Sequence, residues 1–133
     1  MKVLAYIYTF RNKNLKKDQY SVVVANESGK EISCFIGDVD YSPDLNALNR
    51  VLSELKPTEV QLFTKSEKFC SIINNKKFEN YNSPEWGPLK TFLINNIFEC
   101  KLLNRSNEFF EKAQKNLNEK NSSSRKWAIR KDL

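Results

Sequence analysis

KVLAYIYT (Lys2–Thr9), YSVVVAN (Tyr20–Asn26) and EISCFI (Glu31–Ile36) follow one another near the start of the chain, and their reading decides the fold. Lys2–Thr9 is apolar at both parities, with Val3, Ala5 and Ile7 against Leu4, Tyr6 and Tyr8. That pattern suits a central strand covered on both faces. Val22, Val23 and Val24 make the second segment a β-branched run, which favours a strand. Ile32, Cys34 and Ile36 alternate in the third. Arg11–Asp18 reads as a basic, Asn-rich loop, and Glu27-Ser28-Gly29-Lys30 as a hairpin turn with glycine at a positive-φ position. The three strands form an antiparallel meander.

Beyond the meander the periodicity changes. Leu45, Leu48, Val51, Leu52 and Leu55 recur at helical spacing after Ser42-Pro43-Asp44, an N-cap, a first-turn proline and a first-turn acid. Pro57 closes that helix. Glu59–Thr64 reads as a strand, Ser66–Asn74 as a short helix and Asn74–Ser83 as a polar loop. Pro84–Asn96 is a further helix carrying Trp86, Leu89, Phe92 and Leu93. Phe98–Leu103 returns as a strand, and Ser106–Lys120 is an amphipathic final helix. The order is βββαβααβα, an α/β domain with a mixed five-stranded sheet. Residues 1–120 form this domain, and residues 121–133 read as a flexible basic tail.

The chain has 133 residues, 40% apolar and 29% charged, which fits one domain able to bury its own core. No apolar run approaches the ~20 residues of a membrane span, and the N-terminus carries no signal-peptide pattern. Cys34, Cys70 and Cys100 are expected as free, buried thiols, and a cytoplasmic location is expected with them. Histidine is absent, which excludes a Ser-His triad and any His-ligated metal. Gly29, Gly37 and Gly87 stand too far apart for a phosphate-cradling loop. The net charge of +6 belongs mostly to the end of the chain, because residues 1–111 carry 15 basic and 14 acidic side chains. Arg125, Lys126, Arg130 and Lys131 surround Trp127 there, a pattern that attracts phosphate and offers one stacking face. Docking of Trp127 and Ile129 on a protein surface is the competing reading.

Four stretches, taken with this order of elements, resemble the ribonuclease H-like family. AYIYTF (Ala5–Phe10) is similar to the family's first strand, which ends in Asp-Gly-Ser. PDLNALNRVLSEL (Pro43–Leu55) resembles its Glu-Leu-x-Ala helix, and VQLFTKS (Val60–Ser66) its strand ending in Thr-Asp-Ser. NEFFEKAQK (Asn107–Lys115) is similar to its last helix, which carries Asn-x-x-x-Asp. The tryptophan of PEWGPLKTFL (Pro84–Leu93) also has a counterpart. The resemblance implies a site of about four carboxylates around two divalent cations. Carried over, those positions fall on Tyr8 (Thr9 or Phe10 in a shifted register), Asp44, Lys65 and Glu111. Two acids remain. An ammonium at Lys65 repels a cation and is placed to pair with Asp44.

These positions also have plain structural readings. Asp44 suits a helix N-terminus, worth ~0.3–1 kcal/mol. Glu111 with Lys115 and Glu108 with Lys112 suit i,i+4 pairs. Asp38-Val-Asp40 suits a turn, Trp86 a packing anchor and Cys70 a packed thiol.

Taken together, the resemblance implies a catalytically inactive module without a cofactor. Its expected partner is nucleic acid, an RNA–DNA hybrid or duplex, held through Lys13, Lys16, Lys17, Lys65, Lys76, Lys77, Arg125, Lys126, Trp127, Arg130 and Lys131. A partner protein bound by the same scaffold is the alternative, and a residual nuclease using Asp44 and Glu111 the third. No membrane association is expected.

Overall fold

The computed structural model describes the backbone of residues 1–131 and the side chains of residues 1–123. Strands β1 (Lys2–Asn12), β2 (Lys17–Asn26) and β3 (Glu31–Val39) form the antiparallel meander. Helix α1 (Pro43–Leu55) then crosses to β4 (Glu59–Thr64), which pairs parallel with β1. Helix α2 (Glu67–Asn74), two 3₁₀ turns (Lys77–Asn80 and Pro84–Trp86) and α3 (Gly87–Asn95) lead to β5 (Ile97–Leu102), parallel to β4. Helix α4 (Glu108–Lys131) completes the chain of elements. The sheet order is β3-β2-β1-β4-β5, so the expected mixed five-stranded sheet and the order βββαβααβα both stand.

Alternation along β1 and β2 assigns the two faces. Val3, Ala5 and Ile7 join Tyr20, Val22 and Val24 in one core with Leu45, Leu48 and Val51 of α1. The residues between them face α4, whose Phe110, Ala113 and Leu117 are buried at i, i+3 and i+7. Gln19, Ser21 and Val23 of β2 are fully buried on the same side.

Several expectations are corrected here. Half of the basic stretch Arg11–Asp18 is strand: Arg11 pairs with Asp18 and Asn12 with Lys17, leaving Lys13–Lys16 as the turn. Backbone ladder bonds do not depend on side-chain polarity, so a hairpin can run past the apolar core. Asn12 Oδ1 accepts from the Leu15 amide at 3.1 Å and closes the turn. Ser42 sits at the N-cap of α1 with φ 50° but caps nothing through its side chain. Asn46 instead returns its amide to the carbonyls of Tyr41 and Ser42, at 3.0 and 2.9 Å. Cys34 is exposed on β3, whereas Cys70 and Cys100 are buried.

The expected flexible tail is also revised. Helix α4 continues from Glu108 to Lys131, so the backbone does not change character at residue 120. Extending a docked helix avoids the nucleation cost that an isolated serine-rich segment would meet. Asn121 anchors this part by exchanging amide hydrogen bonds with buried Gln19, at 3.0 and 3.2 Å. The tail residues named above, Arg125, Lys126, Trp127, Arg130 and Lys131, lie outside the residues whose side chains are described.

Gly37 faces Tyr20 across β2–β3, and a Cβ at that position would lie 2.5 Å from the tyrosine ring. The ring is held by Arg50, whose Nη1 donates to Tyr20 Oη at 3.1 Å and to the Ile36 carbonyl at 3.0 Å. Gly37→Ala is therefore expected to lower the unfolding free energy by ~1–3 kcal/mol, read from urea denaturation.

Candidate functional site

The register of β1 and β4 places the first side chains of the site. Ala5 pairs with Leu62 and Tyr6 with Phe63, and the same register brings Tyr8 beside Lys65, just past the end of β4. A cavity of about 270 Å³ opens there, lined by Tyr8, Thr64, Lys65, Ser66, Phe110 and Gln114. Helix α4 delivers Phe110 because Asn107 caps it, its Oδ1 accepting from the amides of Phe109 and Phe110 at 2.9 and 3.1 Å. The Lys65 ammonium lies 4.8 Å from the centroid of the Phe110 ring, a cation–π contact. Tyr8 meets the same ring edge-on at 5.8 Å.

Ser66 also borders a second cavity of about 280 Å³, shared with Ser42, Asp44, Lys68, Phe69 and Trp86. Asp44 is partly buried in it, and this burial pushes its carboxyl up to about 6. Thr64 Oγ1 donates to Asp44 Oδ1 at 3.4 Å and accepts from the Ser66 amide at 3.0 Å. The threonine thus joins the end of β4 to the start of α1. Trp86 is buried and stacked on Phe78 at 5.7 Å, the packing anchor that the sequence indicated.

Other expected pairings give way to longer-range ones. Asp44 meets Thr64, not Lys65. Glu111 is exposed on α4 and lines neither cavity. Lys112 pairs with Glu31 of β3 at 2.6 Å, and Lys115 pairs with Glu119 at 3.9 Å, so neither expected i,i+4 partner engages Glu108 or Glu111. Asp38 and Asp40 form no side-chain turn: Asp38 accepts from Gln19 at 2.8 Å and pairs with Lys120 at 3.4 Å, and Asp40 pairs with Lys17. Lys112 and Asp38 find partners across the α4–sheet packing, whereas Lys115 pairs one turn onward on its own helix.

The basic residues separate into groups. Lys13 and Lys16 stand at the β1–β2 turn, at the same end of the sheet as Lys65 and ~17 Å further along β1 from Tyr8. Among the described residues no acidic side chain pairs with Lys13, Lys16 or Lys65. Lys17 is neutralised by Asp40. Lys76 and Lys77 follow the C-terminus of α2, whose N-terminus lies beside Lys65, and are not gathered with it. Lys68, on the wall of the Asp44 cavity, is a basic residue that the sequence reading left out of the site.

A two-cation centre does not fit these residues. Asp44 brings one partly buried carboxylate to one cavity, Glu111 lines neither, and Lys65 brings an ammonium to the other. Among the described residues no three His, Cys, Asp or Glu side chains converge as a metal-binding group. No described helix is long and apolar enough to cross a membrane.

No protein-family model and no curated protein sequence matches the chain. Solved structures do. RNase H1 from the halophilic archaeon Halobacterium salinarum NRC-1 superposes with a TM-score of 0.60 at 12% identity, over 79% of this chain and 87% of that one. LC11-RNase H1, solved in complex with an RNA/DNA hybrid, gives a TM-score of 0.60 at 15% identity, over 84% and 88%. The N-terminal RNase H domain of a Mycobacterium tuberculosis protein, solved as a fusion with maltose binding protein, gives 0.59 at 13% identity, over 85% and 95%.

Proposed function

From a ribonuclease H-like fold, shared with these three structures, we propose that the chain binds nucleic acid without hydrolysing it. The observation that carries this reading is Lys65, an ammonium with no acidic partner among the described residues, held over Phe110 in an open cavity. A cation at the end of β4 meets a phosphate as readily as carboxylates there meet a metal. Lys13 and Lys16 extend the positive surface at the same end of the sheet. The hybrid in the LC11-RNase H1 structure supports a hybrid or duplex as the first substrate to test.

The test is fluorescence anisotropy with labelled RNA–DNA hybrid, duplex DNA and single-stranded DNA across a salt series. Lys65→Glu is expected to weaken hybrid binding several-fold at low salt and to lower the salt slope by about one or two. Unchanged affinity in Lys65→Glu removes the cavity from the binding surface. Cleavage of the hybrid in manganese, lost in Asp44→Asn, makes the protein a nuclease after all.

One observation favours a protein-binding scaffold. Ile94 and Ile97 are 74% and 64% exposed beside β5, an edge strand of the sheet. A molar mass that rises with concentration in light scattering, together with no nucleic-acid binding, selects that reading.

A further inference from the structure

A third cavity, of about 410 Å³, lies between the β1–β2 hairpin and the second half of α4. Phe10, Arg11, Lys13, Asn14, Asn118 and Asn121 line it. It is not an isolated hollow. Tyr8 and Phe10 are successive same-face positions of β1, and Gln114 and Asn118 are one helical turn apart on α4. The Lys65 cavity, bordered by Tyr8 and Gln114, and this one, bordered by Phe10 and Asn118, therefore lie end to end along the β1–α4 seam, a trough in two basins. From Phe110 to Asn121 the helix side measures ~17 Å.

The chemistry of the trough changes along its length. Lys65 stands at one mouth; Lys13 and Arg11, the latter paired with Asp18 at 3.4 Å, stand at the other. Phe10, 44% exposed, offers a ring face between them. Asn14, Asn118 and Asn121 bring amides, each with donors and an acceptor, and among the described residues no acidic side chain lines the hairpin cavity. Its floor is fixed. Gln19, fully buried, exchanges hydrogen bonds with Asn121, accepts from Asn12 at 3.4 Å and donates to Asp38 at 2.8 Å. A satisfied buried network of this kind holds its rim in place before any ligand arrives.

From this arrangement we infer that the β1–α4 trough binds an unpaired nucleic-acid strand, with a base on Phe10, base edges on the asparagines and phosphates at Lys13 and Arg11. Aromatic faces with cations at their flanks suit splayed single strands, because a paired base presents no free face. The inference deepens the nucleic-acid reading and rests on it, but uses different residues. A strand leaving a duplex held at Lys65 would enter the trough directly.

The test titrates the intact protein into a labelled 12-nucleotide single-stranded DNA and into the same sequence as a blunt duplex, with Phe10→Ala, Phe10→Tyr, Asn118→Ala and Lys65→Glu. Phe10→Ala is expected to weaken single-strand binding about tenfold, the loss of one stacked base, and to leave blunt-duplex binding unchanged. Phe10→Tyr keeps the ring and is expected to keep the affinity; Asn118→Ala, on an exposed helix face, is expected to weaken it several-fold. Single-strand affinity indifferent to both Phe10→Ala and Asn118→Ala overturns the inference. So does a duplex that binds while the single strand does not, an outcome that leaves the Lys65 reading intact. Single-strand binding lost in Phe10→Ala, with hybrid and duplex binding indifferent to Lys65→Glu, supports the trough and overturns the Lys65 reading.

Discussion

Phe78→Ala is expected to lower the unfolding free energy by ~3–5 kcal/mol, the usual range for deleting a buried aromatic ring. Phe78 is 1% exposed and is the bulkiest of the fully buried side chains. It stacks on Trp86 at 5.7 Å and 15°, and Trp86 in turn meets Phe69 at 6.3 Å and Tyr81 at 5.5 Å. The two 3₁₀ turns between α2 and α3 have few backbone bonds of their own to hold them, so this aromatic stack fixes their position. Truncation removes the transfer free energy of the ring and leaves a hole that rigid neighbours cannot fill. Urea denaturation followed by tryptophan fluorescence measures the loss as a lower midpoint at constant slope. A loss below about 1 kcal/mol would mean that the turn collapses onto the vacancy. Because Trp86 also lines the Asp44 cavity, hybrid binding by Phe78→Ala indicates how far this packing supports the site.

Asp44→Asn is expected to stabilise the protein at pH 7 and to change nothing near pH 3.5. Burial raises the Asp44 carboxyl from 3.8 to about 6, so the folded state holds the proton more tightly than the unfolded chain. Well below pH 4 both states are protonated and the group contributes no difference. As pH rises from about 4 to 6 the unfolded chain releases its proton first, and folding loses stability over that window. Above about 6 the penalty is complete, at most ~3 kcal/mol, and ~1–2 kcal/mol once the remaining contact with water is allowed for. Asparagine can still accept from Thr64 without the charge. Thermal denaturation of both proteins between pH 3.5 and 8 checks this: the wild-type curve falls across pH 4–6 relative to the variant. An Asn variant that is less stable at pH 7 would show that the charge itself holds α1 to β4.

Most elements of this fold were legible because their periodicities are strong. Pro43–Leu55 and Glu59–Thr64 match their expected bounds, since an amphipathic stripe between Pro43 and Pro57 and an alternating apolar strand leave little choice. Hairpin length was not legible, because Arg11, Asn12, Lys17 and Asp18 look like a solvated loop and enter the ladder only through their backbones. Phe78 was hidden inside a polar stretch, and its burial depends on Trp86, eight residues further on. The sequence named Tyr8, Asp44 and Lys65 by resemblance; Tyr8 and Lys65 line one cavity at the end of β4, and Asp44 lines the neighbouring one. Asn118 and Asn121 were not singled out, although Gln114, Asn118 and Asn121 stand at intervals of four and three, a polar stripe readable on a helix.

The sequence alone determined the order of strands and helices, the position of the core and the absence of histidine. These follow from local pattern and from residue identity, neither of which needs a third dimension. Only the tertiary structure decided which charges meet: Lys65 rests on Phe110 and not on Asp44, Lys112 reaches Glu31, and Asp38 closes onto Gln19 and Lys120. It also decided that Asp44 is desolvated and that β1 and α4 enclose a trough. Side chains on separate elements choose partners by distance and burial. Those are properties of packed surfaces, which no single stretch of chain carries by itself.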